Sequence, residues 1–307
     1  MATMKGFQRV TRAGFRQMAV GVTAMLVLAW SGVSATEASV PSDTPLSVVE
    51  SLGLERAKVG RVTVHFAPRD RERALQLATL VDSAAAMFKR KIHLALAIEL
   101  AALGPQDWFS EFPGVPYAIP WPSMNERLLL VPSSLTEGVL VEGQTLLHAE
   151  RTVDFVTLHE FGHIAAKEYF RPGDSRQYIP VPWFRELVAT YFAYAYVAST
   201  NPQWAKDAKQ KWTDELEGFK PEVVSLDWTF MNALNGAELA RTYGWYQTLL
   251  NLRAAELYER HGLGLLPALR RMPWEYSQDW TTESVLASLE EVAPTLVGWA
   301  RKFGKGS

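Results

Sequence analysis

The chain has 307 residues, 48% of them apolar and 21% charged, with a formal net charge of −2. That length and balance fit an ordinary globular protein with a sizeable core in one or two domains. There is no cysteine, which excludes disulfides, a lipidated N-terminal cysteine and any thiolate metal site, so histidines and carboxylates must do whatever metal work there is.

The chain opens on a basic stretch, Lys5, Arg9, Arg12 and Arg16, that contains no acid. Met18 to Trp30 is apolar but short for a membrane span, and Val33-Ser34-Ala35 has the small-x-small pattern that precedes a signal-peptidase cut. Residues 1–35 are therefore predicted to be a signal peptide, and the mature chain to be periplasmic or secreted. The other reading is an uncleaved signal that tethers the chain to the membrane. No Arg-Arg pair occurs there, which favours the general secretory route over the twin-arginine one. Once 1–35 is removed, 27 basic residues face 33 acidic ones, a net charge of −6. That disfavours nucleic acid or an anionic membrane as the main partner.

Residues 36–58 read as a linker, because Thr36 to Pro45 is polar, carries prolines and has no periodicity. Arg61 to Phe66 alternates and is β-branched, which predicts a strand. Arg71 to Lys91 has the apolar spacing of a helix. His93 to Leu100 is the length of a second strand, although its alanines and leucines fit one poorly. His65 and His93 fall in these strands, where a hydrogen-bonded structural histidine is commoner than a metal ligand. Residues 104–124, rich in proline, glycine and aromatics, read as a long loop. Asn125 to Val131 reads as a strand. His148 lies on the leucine-rich approach to the next helix and is assigned no role.

Asp154 to Phe170, DFVTLHEFGHIAAKEYF, contains His159-Glu160-Phe161-Gly162-His163, an uninterrupted H-E-x-x-H among good helix formers. Positions four apart share a helix face, so both imidazoles can reach one ion, with Glu160 beside them. Zinc takes imidazole nitrogen and carboxylate oxygen, and a catalytic zinc keeps a position for water that a nearby carboxylate can deprotonate. The spacing supplies two ligands and a general base in one helical turn. The bland alternative is a chance string on an ordinary core helix. The apolar surroundings weigh against it, because two histidines and a glutamate buried without a partner are costly.

A Gly/Pro loop follows, and then Trp183 to Ser199, WFRELVATYFAYAYVAS, with Pro182 suited to the first helical turn. Glu186 is the one acid in this apolar run. A buried carboxylate needs a compensating charge, which an ion on His159 and His163 would supply. Alternatively Glu186 pairs with Arg185, or sits in an exposed first turn where the helix dipole favours acids.

HEFGH followed by P-W-F-x-E-L-x-A resembles the gluzincin metallopeptidases, the thermolysin-like superfamily. The specific motifs cover residues 155–195, and 22 residues separate His163 from Glu186, slightly more than is common in that family. The resemblance implies that Glu186, in a Trp183-x-x-Glu186-x-x-Ala189 setting, is the third zinc ligand. It also implies a tyrosine near the start of a later helix that donates to the oxyanion, with Tyr243 the first choice and Tyr246 the second. It implies a thermolysin-like α+β zincin fold over residues 59–307. A small mixed-sheet lobe, about 59–175, carries the H-E-x-x-H helix, and a mostly helical lobe, about 176–307, follows. The activity it implies is zinc-dependent hydrolysis of peptide bonds in a peptide or protein substrate, which would lie along an edge strand, here Asn125 to Val131. The Gly-x-Met-x-Asn element of the aminopeptidase branch is missing between residues 90 and 158, which leaves endopeptidase or self-processing roles open. Two other readings are a binding or scaffold protein on a peptidase fold, and a zinc hydrolase of a non-peptide amide or ester. Oligomeric state is not legible in the sequence.

His261-Gly262 resembles a helix end with a favourable cation, and residues 281–300 resemble terminal helices.

Overall fold

The computed structural model describes residues 44–112, 120–133, 140–141, 144–145, 150–170, 179, 181–218, 221, 225–226, 234, 236–271 and 281–303. The predicted signal peptide, His148 and most of the loop after Phe170 lie outside these residues. No helix among the described residues is long and apolar enough to cross a membrane.

The fold is α+β, mostly helical, with one small mixed sheet. In chain order the first part runs α1 (Pro45–Ser51), β1 (Glu55–Val59), β2 (Val62–Phe66), α2 (Arg71–Ile92), β3 (Ile98–Leu103), α3 (Pro105–Glu111), β4 (Trp121–Ser123) and β5 (Leu128–Pro132). The two-residue strands β6 (Leu140–Val141) and β7 (Gln144–Thr145) form a separate pair. The five-stranded sheet has the order β1-β2-β3-β5-β4. Its three central strands β2, β3 and β5 are parallel, and the two outer ones are antiparallel to their neighbours. Parallel central strands are covered on both faces, which is why β3 and β5 are apolar with almost no alternation. One face packs against α2 through Val62, Val64, Phe66, Leu77, Val81 and Phe88. The other carries a second core of Val49 from α1, Trp108 from α3, and Ala101, Leu103, Leu128 and Leu130.

Several boundaries differ from those expected. The supposed linker 36–58 forms α1 and β1 from Pro45 on. β1, Glu-Arg-Ala-Lys-Val, is a largely exposed, charged edge strand, so no apolar alternation announces it. Its pairing to β2 depends on Gly60, which has φ +56° and whose missing Cβ would fall 2.3 Å from Asp82 Oδ2. His93 to Ala97 forms no strand, although Leu94 and Leu96 are buried, and pairing begins only at Ile98. His93 instead ends α2 in the left-handed conformation, φ +58°, with its side chain exposed. His65 is buried and bonded through Nε2 to Glu99 Oε2 at 2.9 Å, a structural histidine. The proline-rich 104–124 stretch holds α3 and β4. Asn125 to Val131 does not supply the edge: the strand starts at Leu128, all five of its residues are buried, and it pairs on both sides. Among the described residues the outer strand next to it is β4, paired on one side only.

The second part contains only helices among its described residues: α4 (Glu150–Phe170), α5 (Pro182–Thr200), α6 (Pro202–Gly218), α7 (Gly236–His261), α8 (Leu265–Arg270), α9 (Thr282–Leu289) and α10 (Pro294–Lys302). α4 bears the H-E-x-x-H. It is pinned to the first part by Arg73 Nη2 donating to Asp154 Oδ1 at 2.6 Å, Lys167 Nζ to Asn125 Oδ1 at 2.7 Å and Arg127 Nη2 to Glu168 Oε2 at 2.9 Å. α5 starts with Pro182 at its first position and is buried on every side from Trp183 to Val197. A helix apolar all round belongs at the centre of a core, and α5 contacts α4, α6 and α7. The terminal helices α9 and α10 bury Leu286, Leu289, Leu296 and Val297. Trp183 Nε1 donates to Thr282 Oγ1 at 3.2 Å, which ties α9 to α5.

Candidate metal centre

The site lies where α4 crosses α5, with α7 alongside. The crossing is close because Gly162 of the H-E-x-x-H faces Ala189: a Cβ on Gly162 would fall 2.2 Å from the Ala189 carbonyl oxygen. Two small residues bring the backbones together, and the side chains on either side of that contact converge.

His159 and His163 stand one turn apart with ring centroids 4.8 Å apart and planes nearly perpendicular. Glu186 Oε2 lies 3.1 Å from His159 Nε2 and 3.3 Å from His163 Nε2. Its other oxygen, Oε1, lies 3.7 Å from Arg185 Nε. Glu186 thus has one oxygen towards Arg185 and the other towards the histidines. It sits in the first turn of α5, but buried rather than exposed. Glu160 Oε2 is 3.9 Å from His163 Nε2. Each of these four residues is at most 5% exposed. The potential ligand atoms of His159, Glu160 and His163 lie within 4.8 Å of one another, a buried group able to hold a metal ion. Either glutamate could complete a three-donor set. Of the two, Glu186 lies nearer the His163 nitrogen, at 3.3 against 3.9 Å.

The electrostatics of the two glutamates differ. Burial opposes ionisation of Glu186, but His163 and His159 outweigh it and hold the carboxyl well below its usual range. Burial pushes Glu160 up from 4.5 to about 8, against the pull of His159. Burial also opposes the charged form of His159, yet the hydrogen bond to Glu186 and the two carboxylates keep its pKa raised. For His163 burial wins and the pKa falls. So without an ion Glu186 is the standing negative charge, and Glu160 is a carboxyl poised near neutrality. A candidate general base is most effective when its pKa lies near the working pH.

The raised Glu160 pKa gives a signed expectation for the metal-free chain. A proton held more tightly in the folded state contributes stability that is complete below 4.5 and lost as pH rises through about 8. Chelator-treated wild type is therefore expected to lose stability relative to Glu160→Gln across that window. Chemical denaturation at several pH values checks this, and a pH-independent difference would contradict it.

Tyr243 is on the same side. Burial first, and then the charges of Glu186 and Glu160, raise its hydroxyl well above the usual phenol range. It lies two turns into α7 rather than at its start. Tyr246 is fully buried and packs edge-on against Phe303 with centroids 6.1 Å apart, a core position.

Four further residues complete the surroundings; only Arg185, named above as a partner for Glu186, was expected from the sequence. Thr190, one turn after Glu186, lies with Oγ1 2.9 Å from His159 Nδ1. The same Oγ1 is 2.9 Å from Asn251 Oδ1 on α7, and Gln247 Nε2 donates to that oxygen at 3.3 Å. Arg185 is buried at 2% exposure beside Glu186. The sequence signal that could have found part of this set is the i, i+4 spacing of Gln247 and Asn251 with Tyr243, a polar stripe on an otherwise apolar face.

No family model matches the chain, and no curated protein matches it.

Proposed function

We propose that the chain is a zinc-dependent hydrolase of peptide bonds, of the gluzincin type suggested by HEFGH and the Trp183-Phe184-Arg185-Glu186 helix. The observation that carries this reading is the approach of Glu186 Oε2 to within 3.1 and 3.3 Å of the two histidine Nε2 atoms. Two imidazoles and one carboxylate, with no thiolate in the chain, are a donor set that zinc accepts, and three protein ligands leave room for a water. His159, His163 and Glu186 would hold the ion. When bound, zinc supplies a Lewis acid and makes a water acidic near neutral pH.

The chain's own residues do the rest. Glu160 Oε takes a proton from the attacking water and returns it to the leaving amine nitrogen. Tyr243 donates its hydroxyl hydrogen to the oxygen that becomes negative as the carbonyl is attacked, and its raised pKa keeps that hydrogen in place. Arg185 offsets the charge of Glu186 from the side away from the histidines. An extended substrate lies along the free edge of β4, which packs against α4.

The purified chain, loaded with zinc, is expected to cleave members of a mixed peptide library read by mass spectrometry. Cleavage should stop on chelation and return with added zinc. Intact peptides, with ester or non-peptide amide substrates hydrolysed instead, would move the assignment to another hydrolase class.

A further inference from the structure

We propose that Gln247, Asn251 and Thr190 form a neutral relay that positions His159, fixing the proton on Nδ1 so that Nε2 presents its lone pair to the ion. The proposal rests on the metal-site reading above and assigns a role to three residues outside the donor set.

The polarity of the relay follows from its far end. Gln247 Nε2 donates to Asn251 Oδ1 at 3.3 Å, which orients the Asn251 amide with its oxygen towards Thr190. That oxygen can only accept, so the Thr190 hydroxyl, 2.9 Å away, donates to it. The Thr190 oxygen then keeps its lone pairs for the other neighbour. His159 Nδ1, at 2.9 Å, must therefore be the donor. A neutral imidazole carries one ring proton, and with that proton on Nδ1 the opposite nitrogen is a bare acceptor. This nitrogen faces Glu186 Oε2: in the doubly protonated, ion-free ring it donates to that oxygen, and in the neutral ring its lone pair is left for an ion. A metal-bound histidine usually gives its other N–H to an outer partner, which fixes both tautomer and ring orientation.

The supports are placed by helix periodicity. Thr190 lies four residues after Glu186 on α5, so ligand and support share one face. Asn251 lies four residues after Gln247 on α7. Thr190 is fully buried and Gln247 nearly so, which shields the chain of bonds from competing water. The relay contains no charged group, so Glu186 remains the only anionic ligand in the set.

The test is zinc affinity, measured by competition with a chromophoric chelator for the wild-type chain, Thr190→Val, Thr190→Ser and Asn251→Leu. Valine matches threonine in shape but has no hydroxyl. Thr190→Val is expected to bind zinc about 10–100-fold more weakly, the usual effect of losing an outer partner. Thr190→Ser should restore wild-type affinity, and Asn251→Leu should weaken binding in the same direction, giving the readout if Thr190→Val does not fold. Equal affinity in wild type and Thr190→Val, or no rescue by serine, would overturn the relay. Nitrogen NMR of labelled histidines in the chelator-treated chain decides the point independently of zinc. A protonated, slowly exchanging His159 Nδ1 that is lost in Thr190→Val supports the relay even if wild type binds no metal and the functional reading falls. A proton on Nε2 in the neutral ring contradicts it.

Discussion

Glu160→Gln is expected to keep its fold and its zinc while losing hydrolysis by about a hundredfold or more, the lower range for loss of a general base. Glutamine has the size and polarity of the carboxyl but cannot take a proton from water. Two features set this residue apart from Glu186. Its Oε2 is 3.9 Å from His163 Nε2, against 3.3 Å for Glu186, and it is Glu186 whose oxygen also reaches His159. Its environment also raises its pKa to about 8, whereas that of Glu186 is held low. The measurement is kcat/KM on a cleaved library peptide alongside zinc content. Near-full activity in Glu160→Gln would remove the proposed base and favour a binding or scaffold role.

Gly162→Ala is expected to disturb the whole site with one methyl group. The new Cβ would stand 2.2 Å from the carbonyl oxygen of Ala189, 2.9 Å from its carbonyl carbon and 3.0 Å from its Cα. All three are backbone atoms of a fully buried helix, so no side chain can rotate away. α4 and α5 must separate, and Glu186 moves from the histidines with α5. Overpacking of this kind costs about 1–3 kcal/mol, and a misplacement of about 1 Å in a catalytic arrangement can cost about a hundredfold in rate. We expect a lower denaturation midpoint together with weaker zinc binding. Ala189→Gly in the same chain should not rescue it, because the nearest clash is with the carbonyl. Wild-type stability and affinity in Gly162→Ala would mean that the close crossing does not hold the site together.

Gly162 also shows what sequence alone could and could not reveal. His159, Glu160 and His163 were legible because their spacing matches a helical turn, and Glu186 because a lone acid in an apolar run stands out. The role of Gly162 depends on the carbonyl of Ala189, on another helix, and nothing local points to it. Thr190 and Asn251 were missed for the same reason: threonine and asparagine are ordinary on helices until packing sets one against the other. The outer strand of the sheet was misplaced because β4 has only three residues, one of them proline, in a stretch with loop composition, while the stronger strand signal, Leu128 to Pro132, belongs inside the sheet. β1 escaped notice because an exposed edge strand need not alternate. The helical second part was legible in outline because α5 is apolar throughout and prolines start α5, α6 and α10.

The central claim is that His159, His163 and Glu186 hold one metal ion, and elemental analysis of the purified chain tests it most directly. One zinc is expected per wild-type chain, the same in Glu160→Gln, and none in His163→Ala or Glu186→Ala that remain folded by circular dichroism. Equal zinc in wild type and His163→Ala, or zinc lost from Glu160→Gln but kept in Glu186→Ala, would contradict it.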